Sequence, residues 1–190
     1  QLHALGLGLE VVDIRGNVDT RLGKVRDGEY DAVVLARAGL ARLGRLDEAT
    51  EVLDPLQLLP APGQGALAVE CRADDSELVA ALATLEDSRT RASVDAERAV
   101  LATLEGGCSA PIGALAEVVE GDDGEELWVR AVALSHDGAL AVRKSASGDP
   151  ADAAGVGAGL AQEMLADGAA DLDQPLTSTT SAAPAKRQNA

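Results

Sequence analysis

Cys108 is the residue of this chain best suited to covalent chemistry. It lies in the segment Glu105-Gly106-Gly107-Cys108-Ser109-Ala110-Pro111, directly after a run in which Val100, Leu101 and Leu104 recur at helical spacing. The two glycines end that helix because glycine adopts the left-handed cap conformation without steric cost, and the proline that follows prevents a restart. The pattern predicts a thiol held on a loop with few side chains. The alternative is a small buried hydrophobic residue in a turn.

Arginine is concentrated near the start of the chain. The first 45 residues contain seven basic and six acidic side chains, whereas the remainder contains nine basic and twenty-six acidic ones. Arg15, Arg21, Arg37 and Arg42 lie just after predicted strands or within the helices that follow them. Because a guanidinium group binds a carboxylate through two hydrogen bonds, this grouping predicts a site for an anionic ligand. Ordinary arginines on helix surfaces are the alternative.

Strand and helix patterns alternate in the segment that carries these arginines. The runs Leu9–Ile14 and Asp31–Ala36 predict strands, and helices are predicted to begin at Gly16-Asn17 and at Gly39. Such alternation is typical of an α/β sheet, in which ligands bind beyond the carboxyl ends of the strands. The arginines are therefore predicted at the ligand-binding edge.

The second half of the chain has a different pattern. A turn-forming junction, Pro60–Gly65, leads into a predicted strand, Ala66–Arg72, in which Cys71 is a packed residue. Beyond it, Asp-Gly turns separate apolar runs, which predicts a small antiparallel sheet covered by helices, an α+β arrangement. The predicted helices are Glu77–Leu85, a helix from Asp87 or Ser88 to Glu105, and Ala151–Ala166; the predicted strands are Ile112–Val119, Glu126–Leu134 and Ala139–Lys144.

Composition excludes several classes of protein. The formal net charge of −16 argues against nucleic-acid binding, because phosphates require a basic surface. Two cysteines and two histidines without a Cys-x-x-Cys spacing predict neither a disulfide framework nor a metal site. No apolar run is long enough to span a membrane and no signal peptide is recognisable, so we expect a cytoplasmic protein that does not bind membranes. Gly155–Gly159 resembles a phosphate loop, but its spacing and context favour small residues within a helix.

Six motifs together carry a family resemblance. They are Arg15–Leu22, Gly28–Ala36, Gly39–Gly44, Leu59–Ala66, Glu70–Arg72 and Glu97–Gly113. In order and spacing, they are similar to the porphobilinogen deaminase family, whose members are also called hydroxymethylbilane synthases. The likeness covers residues 9–170.

The resemblance implies a covalent cofactor and a polyanionic substrate chain. In this family a dipyrromethane cofactor is attached by a thioether to the cysteine that matches Cys108. Four porphobilinogen molecules are condensed with loss of ammonia into the linear tetrapyrrole hydroxymethylbilane. The acetate and propionate groups of the pyrroles are held by arginines that match Arg15, Arg21 and Arg42. The resemblance implies cofactor contacts from Cys108, Arg15, Arg21, Asn17, Thr20 and Gln64, with Gly63 in the same motif, and substrate contacts from Arg15, Arg21 and Arg42.

The resemblance also implies a division of the chain. Residues 1–60 correspond to part of an α/β domain that is similar to periplasmic binding proteins, and residues 61–83 to a crossover strand and helix of a missing first domain. Residues 84–173 correspond to the C-terminal α+β domain that carries Cys108, and 174–190 are predicted to be a disordered tail. The family's catalytic aspartate matches nothing in this chain. We therefore expect an inactive C-terminal fragment of a monomeric transferase.

A non-catalytic module that binds anions is the alternative function. Strand–helix units with arginines at the helix starts suit such a binding protein equally well. The Gly-Gly-Cys loop distinguishes the two hypotheses, because a binding protein has no use for a tethering thiol.

Overall fold

A three-stranded antiparallel sheet is the centre of the computed structural model, which describes residues 1–105, 110–122 and 124–172. Strand β1 spans Ile112–Gly121, β2 spans Gly124–Leu134 and β3 spans Ala141–Gly148, in the spatial order β1-β2-β3. The three strands predicted for this segment are confirmed, although the third begins two residues later. Asp137 closes the turn before it, where its carboxylate accepts hydrogen bonds from Ser135 Oγ at 2.6 Å and from the Ala139 amide at 2.9 Å.

Helices flank this sheet and also occupy the first half of the chain. They are α1 (Val18–Arg26), α2 (Arg37–Arg42), α3 (Ser76–Ala83), α4 (Ser88–Thr103) and α5 (Ala153–Ala166), with short 3-10 turns at His3–Leu5, Leu46–Glu48, Pro150–Asp152 and Ala169–Asp171. Each predicted helix is therefore confirmed, with small differences at its ends. The glycines at 155, 157 and 159 lie inside α5, as the small-residue interpretation predicted.

Helices α4 and α5 cover one face of the sheet. Asp87 caps α4, because its side chain accepts a hydrogen bond from the Thr90 amide at 2.8 Å. Val100 of α4 and Met164 of α5 are fully buried against Leu127 and Val129 of β2. Small residues between them allow the helices to approach closely. This core is built from Ala, Val and Leu, with one Met.

The segment that precedes the Pro60–Gly65 junction packs on one end of the opposite face of the sheet. Leu59 packs against Val132 and Leu134, and the Ala114 amide donates a hydrogen bond to the Pro60 carbonyl at 2.9 Å. A β-carbon on Gly113 would stand 2.9 Å from Leu59 Cβ, so the two segments touch through their backbones. The junction is thereby fixed to β1.

The strands predicted at Leu9–Ile14, Asp31–Ala36 and Ala66–Arg72 are wrong for the described chain. These segments form no strand, and their apolar side chains are largely exposed: Val34 is 59% and Leu67 79% accessible to solvent. A β-strand exists only when a neighbouring strand satisfies its backbone groups. The apolar pattern marks segments that could pair, but nothing among the described residues pairs with them.

Within the described ranges, none of the helices has the length and apolar character needed to cross a membrane.

Candidate functional site

Four of the predicted site residues lie at the start of α1. Asn17 is the N-cap, and its side-chain oxygen accepts hydrogen bonds from the Thr20 amide at 2.8 Å and from Thr20 Oγ1 at 2.9 Å. Arg21 folds back over this turn and donates from Nε to the Gly16 carbonyl at 2.8 Å. Gly16, adjacent to Arg15, has a φ of +118°, which only glycine adopts readily. Arg15 thus directly precedes the capped turn, and Arg21 is fixed against it by its hydrogen bond to Gly16.

Helix α2 lies beside the start of α1. A β-carbon on Gly39 would stand 3.9 Å from Val18 Cγ2, so the middle of α2 faces the first residue of α1. Arg42 is the last residue of α2 and is exposed. The structure therefore places Arg42 on the helix next to the Arg15–Arg21 turn, with no hydrogen bond between them among the described residues.

The arginines of this region fall into two classes. Arg26 and Arg45 are neutralised by carboxylates: Arg26 donates to Glu48 at 2.7 Å, and Arg45 pairs with both Glu48 and Asp19. Hydrogen bonds from Arg45 and Arg26 lower the pKa of Glu48 from 4.5 to about 2. Arg37 and the three arginines that the resemblance implies as ligands, Arg15, Arg21 and Arg42, have no such ion pair within the described chain. Their charge is left available to a ligand.

Glu97 is a buried, hydrogen-bonded carboxylate that sequence reasoning missed. It lies on α4, is only 6% exposed, and accepts hydrogen bonds from the Gly63 amide at 2.6 Å and from the Ala116 amide at 2.9 Å. Burial raises the pKa of Glu97, and the two amide donors oppose that effect only in part. The available signal was a carboxylate beside Ala96, on the apolar side of the helix.

Gln64 lies in the loop that Glu97 holds. Its backbone amide donates to the Ala61 carbonyl at 3.1 Å, and its side-chain oxygen accepts from the Ala61 amide at 3.4 Å. The Gly63 amide already donates to Glu97, so that amide supports the loop and does not face a ligand. No hydrogen bond or ion pair in the described ranges joins this loop to the Arg15–Arg21 turn.

Cys108 lies outside the described residues, together with the tail 174–190. The flanks of the cysteine segment are described. Helix α4 ends at Thr103, two residues earlier than predicted, because Glu105 already has a left-handed φ of +54°. On the other side, Ala110 and Pro111 lead directly into β1.

Two family models cover most of the chain. Residues 1–80 match the model described as "Porphobilinogen deaminase, dipyromethane cofactor binding domain", and residues 92–166 match "Porphobilinogen deaminase, C-terminal domain". This chain belongs to the porphobilinogen deaminase family. The first matched model contains the arginine-bearing turn of α1, and the second contains most of α4 and the Cys108 segment.

Several curated porphobilinogen deaminases are similar to the chain. The proteins of Nocardia farcinica and Mycobacterium tuberculosis are each 59% identical to this chain over 177 residues, which is 90% of the chain. The match covers 51% of the Nocardia farcinica protein and 57% of the Mycobacterium tuberculosis protein. The protein of Mycobacterium avium is 58% identical over 177 residues and 56% of its length is covered. The chain therefore spans about half the length of the curated relatives it matches.

Proposed function

We propose that this chain provides the cofactor-binding and substrate-holding part of a hydroxymethylbilane synthase. The reaction is the condensation of four porphobilinogen molecules, with loss of ammonia, into hydroxymethylbilane on a dipyrromethane cofactor. The observation that carries the proposal is the capped turn of α1, which presents Arg15 and Arg21 without carboxylate partners in the described chain. Membership of the porphobilinogen deaminase family supports it.

The arginine-bearing turn fits a ligand that carries carboxylates. Each pyrrole unit has an acetate and a propionate, and a guanidinium group binds a carboxylate through charge-assisted hydrogen bonds. The free amides at the start of α1 add a partial positive charge at the same place. Arg42 extends this positive surface on the neighbouring helix, whereas Asn17 and Thr20 stabilise the turn and approach the ligand from its edge. In a chain of net charge −16, such an isolated basic site favours binding of the anion there.

Cys108 is proposed as the attachment point of the cofactor. The bound dipyrrole supplies the end of the pyrrole chain to which further units are joined. The cysteine follows the C-terminal end of α4, where the partial negative charge of the helix disfavours a thiolate. A thioether that forms once and is not turned over does not need a permanently activated thiol, so this position suits a tether better than a hydrolytic nucleophile.

The remaining features of the proposal concern organisation. Residues 1–60 are proposed as a periplasmic-binding-protein-like α/β unit whose segments 9–14 and 31–36 require strand partners, and 61–83 as a crossover. Residues 84–173 are proposed as the cofactor-bearing α+β domain, which is supported by the packing of α4 and α5 on the β-sheet. We further propose that the protein is monomeric and cytoplasmic. We also propose that its catalytic acid or base is none of the residues proposed above to contact the cofactor or the substrate.

Intact mass tests the proposed attachment. The chain is produced in cells that make porphobilinogen, and its mass is compared with that of Cys108→Ser and, as the matched control, Cys71→Ser. We expect a dipyrrole adduct on the parent and on Cys71→Ser, mapped to Cys108 by peptide sequencing, and none on folded Cys108→Ser. An adduct that survives in Cys108→Ser, or one that is lost from Cys71→Ser, would contradict the proposal.

A further inference from the structure

Glu97 joins three separate parts of the chain. Its carboxylate lies on α4, one oxygen accepts from the Gly63 amide of the Pro60–Gly65 loop, and the other accepts from the Ala116 amide of β1. The side chain is almost completely buried. Both oxygens are therefore used as acceptors, in a place where water is largely excluded.

The loop held by Glu97 has a second attachment to β1. The Pro60 carbonyl accepts from the Ala114 amide at 2.9 Å, two residues before the Ala116 amide that donates to Glu97. Gly63 has a φ of +77°, which lets its amide turn towards the carboxylate. The loop is thus fixed at its start by β1 and in its middle by α4, and Gln64 directly follows the second point.

The same helix leads to the proposed cofactor cysteine. Glu97 lies six residues before the end of α4 at Thr103, and Cys108 follows five residues later in the sequence. Because an α-helix is stiff, a contact at Glu97 sets the position of the helix end relative to the loop. We propose that Glu97 is a positioning residue that keeps Gln64, a proposed cofactor contact, fixed relative to α4 and β1; this rests on the proposed function.

Only a carboxylate of this length satisfies both amides. The Glu97→Gln side chain keeps one acceptor oxygen but turns an NH2 group towards the other amide, so that one buried donor loses its partner. The Glu97→Asp side chain keeps both acceptors and the charge, but is one methylene shorter and cannot reach both amides from an unmoved helix. Glu97→Gln therefore tests the loss of one hydrogen bond, and Glu97→Asp tests the length of the side chain.

Amide exchange and cofactor occupancy test the proposal together. The parent, Glu97→Gln, Glu97→Asp and an exposed control, Glu77→Gln, are produced in porphobilinogen-making cells and compared at a temperature where circular dichroism shows each to be folded. We expect the Gly63 and Ala116 amides of Glu97→Gln to exchange about tenfold faster than in the parent. We also expect Glu97→Gln to lose most of the dipyrrole, Glu97→Asp to lose less, and Glu77→Gln to match the parent in both measurements.

The outcomes distinguish this inference from the proposed function. A parent that carries the dipyrrole, with an equally loaded Glu97→Gln, overturns the positioning role and leaves the proposed function standing. An adduct that persists in Cys108→Ser overturns the proposed function. In a parent without dipyrrole, amide exchange alone decides the positioning role, and equal exchange in Glu97→Gln and the parent overturns it. If Glu97→Gln does not fold, Glu97→Asp decides: parent-like exchange and loading refute the role, and faster exchange with reduced loading supports it.

Discussion

Gly157 of α5 lies directly against the backbone of Ala96 in α4. A β-carbon at residue 157 would stand 2.2 Å from the Ala96 carbonyl oxygen, well inside any permitted contact. The two helices therefore cross where neither has a bulky side chain, and Ala96 is fully buried at that point. Because Ala96 precedes Glu97, this crossing also fixes the part of α4 that holds the Gln64 loop.

The close crossing predicts opposite effects of two alanine substitutions in α5. Gly157→Ala forces the helices apart and is expected to lower the free energy of unfolding by about 1–3 kcal/mol, the usual range for overpacking. Gly159→Ala is the matched control, because nothing lies within 4 Å of its added β-carbon. It is expected to raise stability by up to about 1 kcal/mol through helix propensity. Urea denaturation of both variants checks this, and a Gly157→Ala protein as stable as the parent would refute the packing argument.

The buried Glu97 carboxyl predicts a pH dependence of stability. Burial raises its pKa in the folded protein above the ordinary value of 4.5, so the folded state binds more protons than the unfolded state in the interval above pH 4.5. The contribution of this group to the free energy of unfolding is therefore fully present below that interval and is lost as pH rises through the folded pKa. Glu97→Gln cannot titrate.

Denaturation of the parent and of Glu97→Gln across this interval measures the effect. We expect the stability of the parent relative to the variant to fall as pH rises above 4.5. The exposed control Glu77→Gln removes the same charge without this trend. If the free energy of unfolding of the parent instead rose relative to that of Glu97→Gln as pH increases, the hydrogen bonds from the two amides would outweigh the effect of burial on the pKa.

Glu48 predicts the opposite pH dependence. Its pKa is lowered to about 2 by hydrogen bonds from Arg45 and Arg26, so its contribution is present above the ordinary value of 4.5 and is lost as pH falls through about 2. Titration of the Glu48 carboxyl by nuclear magnetic resonance is expected to give a midpoint near that value. Arg45→Gln removes the largest cause and should return the midpoint towards 4.5. An unchanged midpoint in Arg45→Gln would rule out this ion pair.

The α1 turn predicts which arginines bind carboxylates. Arg15→Gln and Arg21→Gln are each expected to weaken porphobilinogen binding by about tenfold, the effect of one lost charge-assisted hydrogen bond. The matched control is Arg91→Gln, which removes the same charge from α4, where Arg91 already pairs with Glu86. Isothermal titration calorimetry on folded variants measures the affinities. Equal binding by the parent and both α1 variants would exclude the proposed carboxylate contacts.

The sequence was sufficient to predict the helices and strands that are stabilised by contacts between residues close together in the chain. Asn17 and Asp87 predicted the starts of α1 and α4 because each cap bonds an amide three residues ahead. The antiparallel sheet was predictable for the same reason, since consecutive strands pair with each other and β3 alternates between exposed and half-buried residues. The segment Leu9–Ile14 carries an equally strong apolar pattern and yet forms no strand, because pairing depends on a neighbour that the pattern does not specify.

The amino-acid sequence by itself determined the family, the capped start of α1 between Arg15 and Arg21, and the order of helices and strands in the second half. Those features depend on residue types and on contacts a few positions apart. Only the tertiary structure decided which arginines are neutralised by carboxylates and that Glu97 joins α4 to Gly63 and Ala116. The physical reason is distance along the chain: a carboxylate pairs with whichever donor the fold brings within hydrogen-bonding reach, and 34 residues separate Glu97 from Gly63.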